Sequence, residues 1–262
     1  MMHYLSLFFD YIKIYMKTKL TYRSDLWIEI VSDLLFQGLN LLFILVVFMH
    51  TDLLGDWTRD EMIFIYGYFM VPYGLFTAFF NMWNFTERYI IKGEMDRVLT
   101  RPVHNLFQLV LENIDPSSLF GALSGVVIMV YAGTQLGLDW AWYDPLVLVL
   151  LVLSSMMVYF GVYVSLIAIG FFTDSQTGIL PLVWNLQNYG RYPVDIYNRV
   201  IRFSLTWVLP FAFVGVHPAS YFLKKGEWQL YAFLTPLMGV AFFLLALWIW
   251  NVGVNRYRGA GS

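Results

Sequence analysis

Long apolar runs separated by short polar segments dominate the pattern of the chain. Runs long enough to cross a bilayer, which takes about 20 helical residues, lie at 31–50, 62–84, 117–135, 146–172, 203–223 and 229–252. This pattern predicts an all-α integral membrane protein in which residues 1–262 form a single transmembrane domain with six transmembrane helices. The fifth run contains Pro210, Gly215 and Pro218, so we expect it to break and its outer half to be re-entrant.

The first 24 residues show a different pattern. Apolar side chains recur there at helical spacing, while Asp10, Lys13 and Lys17 fall on the other side of the helix. The apolar positions are Leu5, Phe8, Phe9, Ile12, Tyr15 and Met16. Residues 1–24 are therefore predicted to form an interfacial amphipathic helix that lies along the bilayer. The alternative is that they form a loose start to the first span.

Composition supports the membrane assignment. The chain is 59% hydrophobic and 19% aromatic, with a mean hydropathy of +0.62, which lies outside the range of ordinary globular domains. The net charge of −2 leaves no basic footprint for a nucleic acid, so no nucleic-acid partner is expected. The chain has no cysteine, which excludes disulfides and fits a bacterial inner membrane.

The positions of the basic residues predict the orientation. With a cytoplasmic N-terminus, 13 of the 16 Lys and Arg residues fall in inside segments, and only Arg59, Lys224 and Lys225 fall outside. The inside residues are Lys13, Lys17, Lys19, Arg23, Arg88, Lys92, Arg97, Arg101, Arg191, Arg199, Arg202, Arg256 and Arg258. Because cytoplasmic loops carry an excess of Lys and Arg, both termini are expected to be cytoplasmic.

Motifs for catalysis are missing from the sequence. There is no G-x-x-x-x-G-K-[ST] loop for nucleotide phosphates, no H-E-x-x-H pair and no G-x-S-x-G elbow. The four histidines, His3, His50, His104 and His217, fall in different segments, so we expect no metal site and no catalytic residues. Transport driven by a separate subunit fits this sequence better than catalysis within the membrane, and no cofactor is expected on this chain.

Polar residues form a stripe on the first span. Glu29, Asp33, Gln37 and Asn40 fall within an arc of roughly 80° at helical spacing. Since polar groups at membrane depth are costly in contact with lipid, Asp33, Gln37 and Asn40 are candidates for lining a substrate path. The alternative is that they form hydrogen bonds that hold the helices together.

Two further features belong to the later spans. Trp207 and Phe211 flank the break at Pro210 and are candidates for a substrate surface. The third span contains "GALSG", residues 121–125, a G-x-x-x-G pattern that lets two helix backbones approach closely. The segment 103–115 before it is expected to be a surface helix that breaks before the span, or else part of one span with a kink at Pro116.

The stretch "IIKGEMDRVLTRPVHNLF", residues 90–107, is the most charged part of the middle of the chain. It also carries apolar side chains, and Pro102 is expected to end its helix. The apolar residues are Ile90, Ile91, Met95, Val98 and Leu99. Such a short mixed helix between two spans indicates a surface that presses on another protein, and the alternative is a solvated connector.

Taken together, the order of these segments resembles the ABC-2-type permeases, specifically the small six-span bacterial membrane subunits of ABC transporters. The resemblance rests on a G-x-x-D/E-x-x-L-x-R-P segment and on the block "YPVDIY…LP…HPASYFL". The first segment is formed by Gly93, Asp96, Leu99, Arg101 and Pro102.

This resemblance implies an exporter energised by a separate cytoplasmic ABC ATPase, which would bind ATP and Mg²⁺, and a second permease that is an identical or a sister chain. It also implies that the region 87–104 contains a coupling helix that docks on the ATPase. The coupling residues would be Glu94, Met95, Asp96, Arg97, Val98, Leu99 and Arg101.

By the same resemblance, residues 191–197 ("RYPVDIY") would lie at a cytoplasmic connection between the fourth and fifth spans. There Pro193 and Asp195 would form a turn and a helix cap, or the segment would make a second contact with the ATPase. A rival reading is a membrane anchoring or assembly subunit without its own transport path, and a weaker one is an integral membrane enzyme.

Overall fold

The computed structural model describes residues 2–81, 84–172, 179–226 and 228–257. Within these ranges the chain is helical and forms no β-strand beyond an isolated bridge between Leu54 and Trp57. The α-helices are α1 (Met2–Thr21), α2 (Arg23–Phe48), α3 (Arg59–Phe79), α4 (Glu94–Leu99), α5 (Asn105–Glu112), α6 (Leu119–Gln135), α7 (Asp144–Ile169), α8 (Ile179–Gln187), α9 (Arg199–Phe203), α10 (Val216–Phe222) and α11 (Trp228–Val254).

Short 3₁₀ and π turns extend several of these helices. The π turns are Thr86–Ile91 and Ser204–Val208, and the 3₁₀ turns are Pro116–Ser118, Asn188–Arg191, Val194–Ile196 and Phe211–Val214. Some residues of the sequence predictions lie outside the described residues. They are Met1 of the interfacial helix, residues 82–83 of the second span and Arg258 of the inside charges.

Five helical segments of the described chain are long and apolar enough to cross a membrane. They are Arg23–Phe48, Arg59–Phe79, Pro116–Gln135, Asp144–Ile169 and Trp228–Val254. They correspond to the first, second, third, fourth and sixth predicted runs. The first begins at Arg23, earlier than the predicted residue 31, and α1 is a separate helix because Tyr22 leaves helical geometry (φ −99°, ψ 61°).

The core forms around α3, which packs against α6 and α7. Gly67 and Gly125 let α3 and α6 approach closely, since a Cβ on Gly125 would lie 2.6 Å from the Met70 Cβ and one on Gly67 would lie 2.6 Å from the Met129 backbone nitrogen. This close packing confirms the prediction drawn from residues 121–125. The other glycine of the motif, Gly121, faces α2 instead.

The helices α2 and α3 form a hairpin, so the connection 49–58 lies at one end of the described molecule and residues 84–116 lie at the other. We call these ends the distal face and the terminal face. The Tyr15 hydroxyl of α1 donates to the Glu112 carbonyl over 2.5 Å, and Gly253 of α11 packs against Phe171. Both ends of the described chain therefore lie at the terminal face.

The segment 103–115 follows the expected break. Helix α5 ends at Glu112, and the Asp115 carboxylate accepts a hydrogen bond from the Ser117 backbone N–H over 3.3 Å at the start of the next turn. Pro116 occupies the first position of that turn, where its missing N–H is not needed. The alternative of one continuous span with a kink is wrong.

The fifth predicted run, 203–223, does not form a continuous span. It is divided at Pro210 and Gly215 into α9 with its π turn, a 3₁₀ turn and α10. The middle of this segment lies deep in the bundle, where the Ser155 hydroxyl donates to the Phe213 carbonyl over 2.9 Å. The end of the segment returns to the distal face, where the Lys225 ammonium lies 2.9 Å from a Glu61 carboxylate oxygen. Asp195, shortly before the segment, also lies at the distal face, so the segment enters and leaves at this face. We call the part of the segment before Pro210 and the part after it the re-entrant pair.

Residues 191–197 lie on the opposite side from the one predicted. The Trp57 indole N–H donates to an Asp195 carboxylate oxygen over 3.1 Å, which places Asp195 beside the distal connection. The chain reaches this face through α8 and the turn Asn188–Arg191, a length of about 20 Å at ordinary helical rise. Sequence analysis missed this passage because it is short and contains Asn185, Gln187 and Asn188. Arg191, Arg199 and Arg202 follow the same path. These three of the 13 basic residues assigned to the inside therefore do not lie at the terminal face.

Candidate functional site

A cavity of about 310 Å³ lies between α2, α3 and the passage formed by α8 and its 3₁₀ turn. We call it the α2 cavity. Its lining residues are Ser32, Asp33, Phe36, Gln37, Asn40, Tyr66, Phe69, Met70, Tyr73, Trp184, Asn188 and Arg191. Three of the five residues predicted to line a substrate path, Asp33, Gln37 and Asn40, meet here. Their helical spacing places them on one face of α2, and this face is turned toward α3.

Hydrogen bonds fix the polar residues of α2 in the cavity wall. The Gln37 side-chain nitrogen donates to an Asp33 carboxylate oxygen over 2.6 Å. The Tyr66 hydroxyl donates to the backbone carbonyl of Gln37 over 2.8 Å. The Asn40 amide donates to the Phe36 carbonyl over 2.7 Å. Glu29, the first residue of the stripe, is an exposed ion-pair partner of Lys19 and does not line the cavity. The side-chain hydrogen bonds of Asp33, Gln37 and Asn40 thus lie within α2, while the ion pair of Glu29 joins α2 to α1.

A second, smaller cavity of about 160 Å³ continues from the α2 cavity toward the terminal face. Asp33, Gln37 and Tyr73 line both cavities. The second cavity is also lined by Gly74, Thr77, Asn81, Asp115, Ser118 and Gly121. Gly121 belongs to this wall because a Cβ there would lie 2.7 Å from the Gln37 amide nitrogen and 2.9 Å from an Asp33 oxygen. The two cavities together form a polar route along the inner side of α2.

The aromatic pair predicted beside Pro210 does not line this route. Phe211 is fully buried against Gly190 and Tyr159, so it packs in the core of the re-entrant pair. Trp207 is 46% exposed on the outside of the described chain. Neither lines the α2 cavity, because the break at Leu209 and Pro210 turns the two side chains in different directions.

Arg191 lines the α2 cavity, whereas the sequence indicated it as an inside positive charge and as the first residue of the predicted cytoplasmic segment 191–197. Its side chain is buried, with 5% exposure, and its guanidinium lies 5.3 Å from the Phe69 ring and 5.8 Å from the Tyr66 ring. It donates to the Asn188 side-chain oxygen, while its Nε has no hydrogen-bond partner. Among the described residues, no carboxylate lies within 4.0 Å of it.

The predicted coupling region has its own fold at the terminal face. A π turn, Thr86–Ile91, is joined to α4 by Gly93 in the left-handed conformation (φ 74°), which glycine adopts without strain. Met95 and Val98 of α4 are fully buried in the core of the chain. The expectation that they present an apolar surface to a partner is therefore corrected, because their face of α4 packs inward.

The outer surface of the coupling region is formed by other residues. Ile91 and Leu99 are 48% and 39% exposed, and they supply its apolar part. Charged residues surround them, and the exposed ones are Glu87, Lys92, Asp96, Arg97 and Arg101. We call the exposed residues from Glu87 to Arg101 the outer coupling surface.

A charge cluster holds the coupling region to α5. The Glu112 carboxylate accepts from Arg97 over 2.7 Å, from Gln108 over 2.9 Å and from the Tyr89 hydroxyl over 3.1 Å. An Arg101 nitrogen lies 3.4 Å from it. We name these five residues the Glu112 cluster.

Nearby, the side chain of Arg88 pairs with that of Glu94 over 2.9 Å, and Arg97 also approaches Glu94 at 3.4 Å. The predicted coupling residues Glu94 and Arg97 are thus engaged within the chain.

The environment of Glu112 favours its charged form. Burial alone would raise the pKa of this carboxyl, but the hydrogen bond from Gln108 and the charge and hydrogen bond of Arg97 outweigh it and hold the pKa below its ordinary value. Burial, with the nearby Glu112 charge, raises the pKa of the Tyr89 phenol to about 12. At neutral pH the cluster therefore contains an ionised carboxylate held by cations and a neutral tyrosine.

Comparison with known protein families identifies a match over most of the chain. A family model described as "ABC-2 family transporter protein" matches residues 34–261, which includes the whole coupling region and, of the α2 residues in the cavity walls, Phe36, Gln37 and Asn40 but not Ser32 and Asp33. No curated protein and no solved structure matches the chain.

Proposed function

Because the chain belongs to the ABC-2 family of transporter proteins, we propose that it is the membrane-spanning permease subunit of an ATP-driven exporter, energised by a separate cytoplasmic ATPase. Family membership itself makes the chain a multi-pass membrane component of a transport system that associates with an ATPase subunit. The export direction, the path and the docking surface belong to the proposal.

The observation that carries the proposal is the polar route along α2. An anchoring subunit needs helices that bury their polar side chains in full, since unpaired polar groups at membrane depth are costly. Here the Asp33 and Gln37 side chains line two adjoining cavities beside a helix whose exposed face is largely apolar. Such a lined space supports a path for a solute.

We propose six crossings, with both termini cytoplasmic in a bacterial inner membrane. Five are the long helices, and the remaining one is the short passage 179–191. The α2 span is largely exposed in this single chain. Only 11% of an apolar stretch of 18 residues in α2 is buried, compared with 83% of the corresponding stretch in α3. An apolar helix exposed to this degree supports contact with lipid and with a second permease, identical or sister.

The outer coupling surface is the proposed contact with the ATPase, which binds ATP and Mg²⁺. Interfaces usually have apolar anchors at the centre and charged residues at the rim. Ile91 and Leu99 fit the anchors, and Asp96 and Arg101 fit the rim, because all four are exposed. Met95 and Val98 support this surface from below.

The first test uses co-purification of the ATPase. We expect Leu99→Asp to abolish it, because a carboxylate in a buried apolar contact is costly. The matched control is Leu53→Asp, an exposed leucine of the distal face, which should leave co-purification unchanged. ATPase binding to Leu99→Asp at the level of the unaltered chain would mean that the ATPase docks elsewhere.

A second test separates a permease from an anchor that also binds the ATPase. Ser32→Trp places a large side chain in the α2 cavity, whereas Leu35→Trp places it on the exposed side of the same helix. In nanodiscs containing the complex, a permease should change its ATP hydrolysis rate at least about two-fold on Ser32→Trp and not on Leu35→Trp, because blocking a path alters its conformational cycle. Equal rates in both variants would favour the anchor.

A further inference from the structure

We propose that the α2 cavity binds a substrate amphiphile through an anionic group, a carboxylate or a phosphate, that lies next to a hydrogen-bond donor such as an ammonium or a hydroxyl. Arg191 would receive the anionic group, and the Asp33 and Gln37 side chains would receive the donor. This inference names the substrate class of the proposed permease and rests on that function.

The anion-binding end follows from the state of Arg191. A buried guanidinium without a carboxylate is an uncompensated charge. Charged side chains inside membrane proteins almost always pair with an opposite charge or with backbone carbonyls. Among the described residues, the Arg191 guanidinium contacts the Asn188 oxygen and two aromatic rings, and its Nε–H has no acceptor there. The planar guanidinium offers parallel donors that suit a carboxylate or phosphate. An anionic group entering the cavity would satisfy both the charge and the free donor.

The donor-binding end follows from Gln37 and Asp33. The Gln37 amide nitrogen donates to Asp33, while its side-chain oxygen is buried and has no partner in the described part of the chain. This oxygen and the Asp33 carboxylate are both acceptors in the wall of the same cavity as Arg191. A ligand that carried only negative charge would leave the Gln37 oxygen unpaired and would lie near the Asp33 carboxylate, so the ligand needs a donor as well.

The remaining walls and the size define the rest of the ligand. The aromatic side chains of the cavity are Phe36, Tyr66, Phe69, Tyr73 and Trp184. Ligand sites in proteins occupy roughly 300–1,000 Å³, so a cavity of about 310 Å³ is at the small end. It fits a headgroup together with one or two rings. The same anionic chemistry could come from a substrate or from the headgroup of a membrane lipid.

Binding of matched probes tests this inference without the ATPase. The probes share one naphthalene ring and differ in their polar groups: 3-(1-naphthyl)alanine carries a carboxylate and an ammonium, 1-naphthylacetate only a carboxylate, and 2-(1-naphthyl)ethylamine only an ammonium. Tritiated probes are measured by scintillation proximity with the purified full-length chain in nanodiscs of neutral lipid. We expect naphthylalanine to bind tightest and naphthylacetate to bind at least about ten-fold more tightly than the amine, a ratio that corresponds to about 1.4 kcal/mol.

Variants assign the preference to residues. Arg191→Gln should remove the preference for the carboxylate probes, while Arg191→Lys should keep most of it because the charge remains. Asp33→Asn should bring the affinity of naphthylalanine close to that of naphthylacetate. Arg97→Gln, at the terminal face and outside the cavity, is the matched control and should change none of the ratios. A structural role for Arg191 would lower all affinities together without changing their ratio.

Two outcomes would overturn the inference. One is equal affinity for the three probes in the unaltered chain, which would mean partition into the lipid or a cavity that holds water alone. The other is an unchanged preference in Arg191→Gln. Repeating the measurement in nanodiscs with anionic lipid separates the sources, since a lipid headgroup in the cavity would compete with the probes and a free substrate site would not. Failure here, with ATPase co-purification and the Ser32→Trp effect intact, would leave the permease proposal standing.

Discussion

Arg97 and Arg191 are both arginines in short polar segments, yet the structure surrounds them differently. Arg97 lies 2.7 Å from the Glu112 carboxylate and is 44% exposed. Arg191 is almost fully buried and has no carboxylate within 4.0 Å in the described part of the chain. The more exposed cation has the ion partner, and the buried one lacks it.

This difference separates a structural link from a site. An arginine whose charge is matched by an internal carboxylate joins two segments, here the coupling region and α5, and its contacts are complete. An arginine held by aromatic rings beside a cavity, with a free donor, has its interactions completed only by a ligand. Each prediction below tests one side of this contrast.

The largest effect is expected when the Glu112 cluster loses its carboxylate. Glu112→Ala leaves Arg97 and Arg101 without their common partner and the Tyr89 and Gln108 donors unpaired, so we expect a loss of about 2–3 kcal/mol in the free energy of unfolding. Unfolding by SDS in mixed micelles measures it.

Glu87→Ala is the control for that loss. Glu87 and Lys92 form an exposed pair at the same face, and removing it should cost at most about 0.5 kcal/mol. Equal losses in the two variants would show that the Glu112 cluster does not hold the coupling region.

Substitution of the two arginines should change the stability by different amounts. Arg97→Gln removes an ion pair and is expected to cost about 1–2 kcal/mol. Arg191→Gln removes a buried charge that lacks a carboxylate, so stability should stay within about 1 kcal/mol or rise. The same unfolding assay checks both. A loss at Arg191 as large as that at Arg97 would mean that Arg191 has an internal partner and is a structural link.

The smallest effect concerns pH. Because the pKa of folded Glu112 is below its ordinary value, its charge stabilises the fold above that ordinary value, and this contribution is lost as the pH falls through the lower, folded pKa. Stability due to this group should therefore be constant between about pH 5 and 8 and should decline below about pH 4. Melting temperatures at pH 5 and pH 3.5 measure the decline, and Glu112→Gln should reduce it. An undiminished decline in Glu112→Gln would assign it to other carboxyls.

Much of the fold follows from the hydrophobic pattern. Five of the six predicted runs coincide with long apolar helices, since a run of that length has few other structures available in a bilayer. The break before Pro116 and the close packing at Gly125 also followed from local chemistry. The polar stripe placed Asp33, Gln37 and Asn40 on one face of α2, and all three line the α2 cavity.

The remaining features depend on tertiary contacts. The passage 179–191 is too short and too polar for the sequence to indicate a span, so Arg199 and Arg202 were predicted at the face of the termini and not at the distal face. Met95 and Val98 belong to a helix of six residues, which is too short for its sequence to indicate the buried face. The sequence did not indicate Arg191 as a site residue, because its position against Tyr66 and Phe69 depends on the path of the passage.

The assignment of Arg191 to a cavity within the membrane depends on the side at which the chain emerges after it. The chain has no native cysteine, so single cysteines can report sidedness without interference. We would introduce Arg199→Cys, Leu53→Cys in the distal connection and Thr100→Cys in the outer coupling surface, all at exposed positions.

An impermeant maleimide applied to intact cells and to permeabilised cells is the measurement. We expect Arg199→Cys and Leu53→Cys to be labelled in intact cells, and Thr100→Cys to be labelled only after permeabilisation. The contradicting result would be that Arg199→Cys, like Thr100→Cys, is labelled only after permeabilisation while Leu53→Cys is labelled in intact cells. That result would exclude the crossing at 179–191 and the placement of Arg191 in the cavity.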